Sequence, residues 1–267
     1  MTCCPAQRIM DRRLSSSTAP APARADSLLR LQLQDGRATT AHVARWDLEQ
    51  TRLRIVRLPA RQRVVDWCAE TGCADAVVGG FYTRPEGLPL GELRLGGQAV
   101  PHIAFTAPWH TLRASLQVDG TAVRIDHREG LAADAAGDLL QAGPLLIRDG
   151  EVVYRDGVDS EGFSAADGQF DSDITAGRHP RAAIGVTDGG VLALVADGRS
   201  DEDAGLTLGE LAAAMADLGA IAAMTLDGGG SASLVCDGRL RNRPREAHGI
   251  ELAGGRAVTT VIAFDAD

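Results

Sequence analysis

Short apolar runs of strand length, bounded by glycine, aspartate and asparagine, recur along this chain. One stretch breaks that rhythm with apolar residues at helical spacing. Leu208, Leu211, Met215 and Leu218 form one apolar helical face. Thr207 with Glu210 three residues later predicts a capping box at its start, and Gly219 suits its C-terminal cap. Residues 191–196 and 221–226 are apolar runs on either side of this helix. Strand, helix, strand is a crossover unit, so the two strands are expected to run parallel. Their carboxyl ends, carrying Asp197 and Asp227, then share one edge of a sheet. Residues 181–186 read as a further strand, joined to 191–196 by the turn Thr187-Asp188-Gly189-Gly190. Antiparallel pairing would start that strand, and Arg181, at the same edge.

Residues 37–45 and 52–58 read as paired strands. Residues 64–69 form a short helix ending near Gly72, and 76–78 a buried strand running into Gly79-Gly80. Arg84-Pro85-Glu86-Gly87 is a turn. Asp119-Gly120 and Asp149-Gly150 centre two hairpins, over 114–125 and 145–153. Residues 131–140 read as a helix broken by Gly143-Pro144. Hairpins alternating with few helices predict an α+β fold: a mixed β-sheet with flanking helices, its site carried on a β-hairpin or βαβ unit.

Composition narrows the function classes. The chain has 267 residues, and its 27 Lys and Arg are dispersed against a net charge of −9, which argues against nucleic acid as the main partner. No apolar run approaches the roughly 20 residues of a membrane span. Five cysteines (Cys3, Cys4, Cys68, Cys73 and Cys236) form neither a disulfide framework nor a zinc spacing and read mostly as buried thiols. Residues 1–26 hold Arg12-Arg13, a serine run and Ala-Pro repeats without the apolar stretch of a signal peptide. They read as a disordered tail before one domain over 27–267, and the chain as written reads as cytoplasmic. A misassigned start would leave room for an export signal.

The densest chemistry lies in Leu226-Asp227-Gly228-Gly229-Gly230-Ser231. Two readings compete: a hairpin turn, or a ligand site in which successive glycines aim backbone N–H groups at an anion. Asp197, Asp227, Arg181, Arg199 and this turn converge on one predicted edge, where open α/β sheets bind ligands. Residues 157–177 are polar, with Asp159, Glu161, Asp167, Asp171 and Asp173. Asp171-x-Asp173-x-Thr175 resembles the start of a calcium loop, but glycine falls at position seven and Ala182 at position twelve, so it is not an EF-hand. A solvated loop and a metal site both remain open there, and such a loop is long enough to fold over the active edge. A divalent metal is compatible with the site but not demanded by it.

Several pieces in order resemble the phosphodiester glycosidase family. They are Gly143-Pro144-Leu145-Leu146 with Asp149-Gly150, His179-Pro180-Arg181-Ala182-Ala183-Ile184-Gly185, Asp197-Gly198-Arg199, residues 226–231, Asn242-Arg243-Pro244 and Arg256. Gly79-Gly80-Phe81-Tyr82 is similar to that family's Asn-Gly-Gly-Phe-Phe turn, with Val78 where the family usually has Asn. The resemblance implies a hydrolase that releases a sugar from a phosphate-linked aglycone, with a carbohydrate phosphodiester as partner. On that basis Asp227 acts at the anomeric centre, and Asp197, Glu161 or Asp173 supplies a second carboxylate. Arg181 and Arg199 hold phosphate or sugar oxygens. Gly79, Gly80, Gly228, Gly229, Gly230, Ser231 and Asn242 complete the substrate site. Two alternatives stand beside it. One is a catalytically silent glycan-binding protein linked to exopolysaccharide or cell-envelope assembly. The other is a serine hydrolase using Ser231, which fits poorly because Ser233 replaces the second glycine of a nucleophile elbow and a strand is expected to follow.

Overall fold

The computed structural model describes residues 24–164 and 175–266. The chain starts with β1 (Arg24–Gln32), β2 (Ala38–Asp47) and β3 (Thr51–Gln62), then helix α1 (Val64–Thr71) and β4 (Asp75–Val78). Its middle holds β5 (Leu93–Leu95), β6 (Gln98–Ala99), α2 (Trp109–Leu112), β7 (Ala114–Asp119), β8 (Ala122–His127) and β9 (Asp138–Gln141). There follow β10 (Leu145–Arg148), β11 (Glu151–Val152), β12 (Arg181–Thr187), β13 (Gly190–Ala196) and α3 (Leu208–Asp217). The last strands are β14 (Ala222–Thr225), β15 (Leu234–Cys236), β16 (Arg239–Leu240) and β17 (Val258–Ala266).

These strands form three sheets, ordered β1-β2-β13-β12-β14-β10-β11, β16-β15-β4-β17-β3 and β6-β5-β9-β7-β8. One face of the seven-stranded sheet packs on the other two through Trp46, Ile184, Val195 and Met224 against Val77, Ile262, Leu116 and Leu140. Its other face is covered by α3, whose Leu208, Leu211 and Met215 meet Ala183, Leu192 and Leu194. Each such side chain taken from water contributes roughly 1.5–3 kcal/mol. Buried on both faces, β13 reads as a continuous apolar run with every residue shielded. The capping box forms as expected. Thr207 accepts from the Glu210 N–H while the Glu210 carboxylate accepts from the Thr207 N–H.

The crossover unit also forms, with a strand inserted. Both β13 and β14 lie antiparallel to β12, which runs between them, so they point the same way without touching as neighbours. Pairing inside all three sheets is antiparallel, which corrects the expected mixed sheet, and strands far outnumber helical segments.

Four local expectations need correction. The strands around 37–45 and 52–58 do not pair: β2 joins β1 and β13, whereas β3 joins β17 in the second sheet. Trp46 stacks on Phe264 across that gap at 3.6 Å, which gives the bend a packing reason. Residues 131–140 are not helical. Gly137 takes a left-handed turn at φ 72° with no room for a Cβ beside the Val118 carbonyl, and Leu139 and Leu140 enter β9. The segment around 227–231 is no hairpin, because β14 and β15 belong to different sheets. Finally, β1 begins at Arg24, inside the segment expected to be tail; Arg24 binds Asp75 and Asp237. Cys68, Cys73 and Cys236 are buried free thiols, while Cys3 and Cys4 lie outside the described residues.

Candidate active site

Asp197 follows β13, Asp227 follows β14, and Arg181 opens β12, so all three stand at one edge of the seven-stranded sheet. From there the chain steps to the second sheet through the glycine turn. The Asp227 N–H donates to the Gly79 carbonyl at 3.0 Å, which ties the turn to the end of β4. Gly79 itself donates to the Thr260 carbonyl and Gly80 to Thr260 Oγ1, both at 3.0 Å. A Cβ on Gly79 would lie 2.4 Å from that hydroxyl, so glycine is required for the two segments to meet.

Three of the four amides expected to face an anion are spent inside the fold. The Gly228 N–H bonds the Asp227 carboxyl, Gly229 donates to Pro180 at 2.8 Å, and Ser231 donates back to Gly228 at 3.1 Å. The small size of the glycines serves another purpose. A Cβ on Gly229 would meet the Arg199 guanidinium at 3.1 Å, and one on Gly230 would meet Leu252 and Glu246. The turn is narrow so that charged side chains from elsewhere can close over Asp227.

Those side chains form a connected set. Asp227 is hydrogen-bonded by Ser231, whose Oγ accepts from Arg256 Nη1 at 3.4 Å. Arg256 forks onto Glu246, with Nε to Oε1 at 2.8 Å and Nη2 to Oε2. Backbone geometry places the fork: Arg256 N–H donates to the Gly230 carbonyl at 2.8 Å, and Leu252 N–H to Pro244. Burial pushes the Asp227 carboxyl up to about 6, only partly offset by Ser231 and the positive fields of Arg256 and Arg84. Glu246 moves the other way, held below the usual carboxylate range first by its bond to Arg256. Arg199 donates to the Arg245 carbonyl at 3.2 Å and lies 3.2 Å from His179 Nδ1; its charge also favours ionised Glu246. Tyr82 supplies a wall, with the Arg84 and Arg61 guanidinium groups each 6.0 Å from its ring centroid.

Other expected site residues have structural partners. Asp197 is buried, with Oδ2 2.9 Å from His42 Nε2 and Oδ1 accepting the Arg243 N–H at 2.6 Å. Glu161 is also buried; its carboxylate accepts the Leu145 N–H at 2.6 Å and the Ala114 N–H at 2.9 Å, clamping β10 to β7. Arg181 donates to the Leu206 and Gly177 carbonyls. Asn242 spends its side-chain amide on the Leu234 N–H and the Ala232 carbonyl, fixing the exit from the glycine turn. Ser231 is fully buried and leads toward β15 without a helix, which removes the nucleophile elbow. Asp173 lies outside the described residues. Among the described residues, no group of three or more His, Cys, Asp and Glu is arranged to hold a metal ion, and no helix is long and apolar enough to cross a membrane.

Glu246 and Arg84 carry no motif that marks them as site residues, whereas Tyr82 belongs to the family-like turn at 79–82. Arg256 is part of the family-like pattern, but its role depends on the return of the 244–256 loop over Gly230.

Residues 71–265 match the family model for phosphodiester glycosidases. Among curated proteins, none matches the chain. Of solved structures, the chain is similar to the catalytic domain of zebrafish N-acetylglucosamine-1-phosphodiester alpha-N-acetylglucosaminidase, auto-inhibited by its pro-peptide. The TM-score is 0.69 at 19% identity, covering 92% of this chain and 84% of that one. A hypothetical protein from Synechocystis gives a TM-score of 0.62 at 19% identity, over 92% of this chain and 62% of that chain. A Burkholderia pseudomallei K96243 protein gives 0.64 at 18%, over 86% and 74%. At these identities the three structures support the fold.

Proposed function

The chain belongs to the phosphodiester glycosidase family, and from that premise we propose that it hydrolyses the glycosidic bond of a sugar 1-phosphodiester with Asp227 as the general base. The observation that carries this reading is the divergence of two carboxyl groups linked through Ser231 and Arg256. Asp227 is pushed up to about 6, while Glu246 is held ionised. Environments that separate two carboxyl groups in this way also separate their roles.

A sugar 1-phosphodiester presents an anion beside an acetal carbon. Arg84, Arg199 and Arg256 provide the positive field for the phosphate. Water attacks the anomeric carbon and gives a proton to the Asp227 carboxylate. The bond from that carbon to the phosphate oxygen breaks, and its electron pair leaves with the phosphomonoester. Such a leaving group needs little protonation, so a base near neutrality is the more useful tool. Ionised Glu246 stabilises the positive charge that builds on the sugar ring in an oxocarbenium-like transition state.

Purified protein is incubated with N-acetylglucosamine α-1-phospho-methyl ester and a panel of other sugar phosphodiesters, and the anomeric proton is followed by NMR. The expected result is free sugar released first as the inverted anomer, with the Asp227→Asn rate lower by at least about 100-fold. A folded Asp227→Asn protein with full activity overturns the assignment, and a retained anomer overturns the general-base role.

A further inference from the structure

A cavity opens where β1 and β2 meet the loop after β16. It measures about 450 Å³, within the roughly 300–1,000 Å³ of small-molecule sites. Four of its lining residues, Leu28, Arg30, Thr40 and His42, precede residue 71, where the family match begins. Four of the nine lining residues are therefore supplied by the chain's own N-terminal strands.

The acids that line it are mostly spent. Asp197 gives one oxygen to His42 Nε2 and the other to the Arg243 N–H. Asp203 Oδ1 accepts the Thr40 N–H at 2.8 Å and Arg30 Nη1 at 2.5 Å. Glu202 is exposed at the rim, where solvent screens its charge. One cation, in contrast, is left over. The exposed Arg243 guanidinium makes no hydrogen bond or ion pair with any described residue, and Arg243 lines this cavity. Arg241 is already paired through Nη2 with Asp237 at 3.0 Å and with Asp26 at 3.4 Å. The Asp197 carboxylate meanwhile fixes the His42 ring through Nε2, and Nδ1 makes no hydrogen bond with any described residue.

We infer that this cavity binds a sugar-sized phosphomonoester, its phosphate held by Arg243 and its body resting beside His42 and Leu28. Guanidinium forks match phosphate oxygens in pairs, and the volume exceeds what a bare phosphate fills. The inference goes beyond the proposed hydrolysis and does not depend on it.

The test uses the full chain with ¹⁵N-labelled histidine, titrated with glucose 1-phosphate at constant ionic strength. The His42 imidazole signals are assigned through His42→Gln. They are expected to move saturably, and Arg243→Gln is expected to weaken the apparent affinity about tenfold or more. Asp227→Asn should leave the titration as in the wild type, and glucose alone should move nothing. Static His42 signals, a titration undiminished in Arg243→Gln or lost in Asp227→Asn, or equal movement with glucose would each overturn the site. Turnover of a phosphodiester is read separately, so failure here leaves the Asp227 assignment where it stands.

Discussion

Asp197 and Asp227 end two strands that point the same way at one sheet edge, with only β12 between them, yet their surroundings give them different work. Both oxygens of Asp197 are consumed, one by His42 and one by a backbone N–H. Asp227 has a single serine hydroxyl and its neighbour's N–H, and burial holds its proton on until about pH 6. Position at a sheet edge therefore does not by itself set a carboxyl group's character. What decides is whether the fold has already used the carboxylate. Two substitutions break this comparison most sharply. Asp227→Asn is expected to cost at least about 100-fold in kcat with a Tm at neutral pH that is not lowered and rises if anything, since the buried charge is removed. Asp197→Asn should cost about 1–3 kcal/mol of stability, because a carbamoyl group cannot accept on both sides; turnover per folded molecule should fall far less than in the first variant. Thermal melts and NMR turnover on the pair decide it. Equal kinetic losses would mean that both carboxylates belong to one catalytic pair.

The second contrast is between Asp227 and Glu246, and Arg256 sets it. Arg256→Gln removes the ion pair and a positive field that favours the Asp227 anion. The expected loss in kcat/KM is about 10- to 100-fold, with the midpoint of the acid limb shifted above its wild-type value. Arg256→Lys keeps the charge but not the two-pronged contact with Glu246, and should fall between. A pH profile unmoved by Arg256→Gln would separate Arg256 from Asp227.

Acidity gives a milder version of the same test, with opposite signs. The folded Asp227 carboxyl lies above its unfolded value of 3.8, at about 6. It therefore contributes stability that is complete below the unfolded value and lost as pH rises through about 6. Glu246 is lowered from 4.5, so its contribution is present above that value and lost as pH falls through the folded one. Urea melts across the acid range should show Asp227→Asn removing the loss on the way up and Glu246→Gln removing part of the loss on the way down. In kinetics, kcat/KM should rise with pH through about 6 as Asp227 becomes an effective base. A profile that falls there would make it the acid.

Local patterns carried much of the fold. The continuous apolar run of β13, the Thr207–Glu210 box and the Asp-Gly turns at 119 and 149 depend on neighbouring residues, and each forms where the sequence places it. Sheet membership was not local. Leu139 and Leu140 suit a helix or a strand until β5 and β7 lie on either side of β9. The site divides in the same way. Asp227 stands out because its turn is unusual, whereas Glu246 acquires meaning only from a loop return and an ion pair, and Arg84 only from the charge it brings near both carboxyl groups. Glu161 and Asn242 show the converse: polar residues in family-like stretches whose buried hydrogen bonds hold backbone together.

The smallest expected effect separates scaffold from chemistry. Helix α3 links the strands that end in Asp197 and Asp227, and Thr207 caps it while its hydroxyl reaches Asp156 at 2.8 Å. Thr207→Ala should lower stability by about 1 kcal/mol, the usual value of such a cap. Since α3 packs on the face of the sheet away from the second and third sheets, kcat/KM for the folded enzyme should stay close to wild type. Denaturant melts with kinetics at low temperature measure both quantities. A kinetic loss comparable to that of Arg256→Gln would show that the spacing of the two strand ends, set by α3, is itself part of how Asp227 and Glu246 are held apart in character.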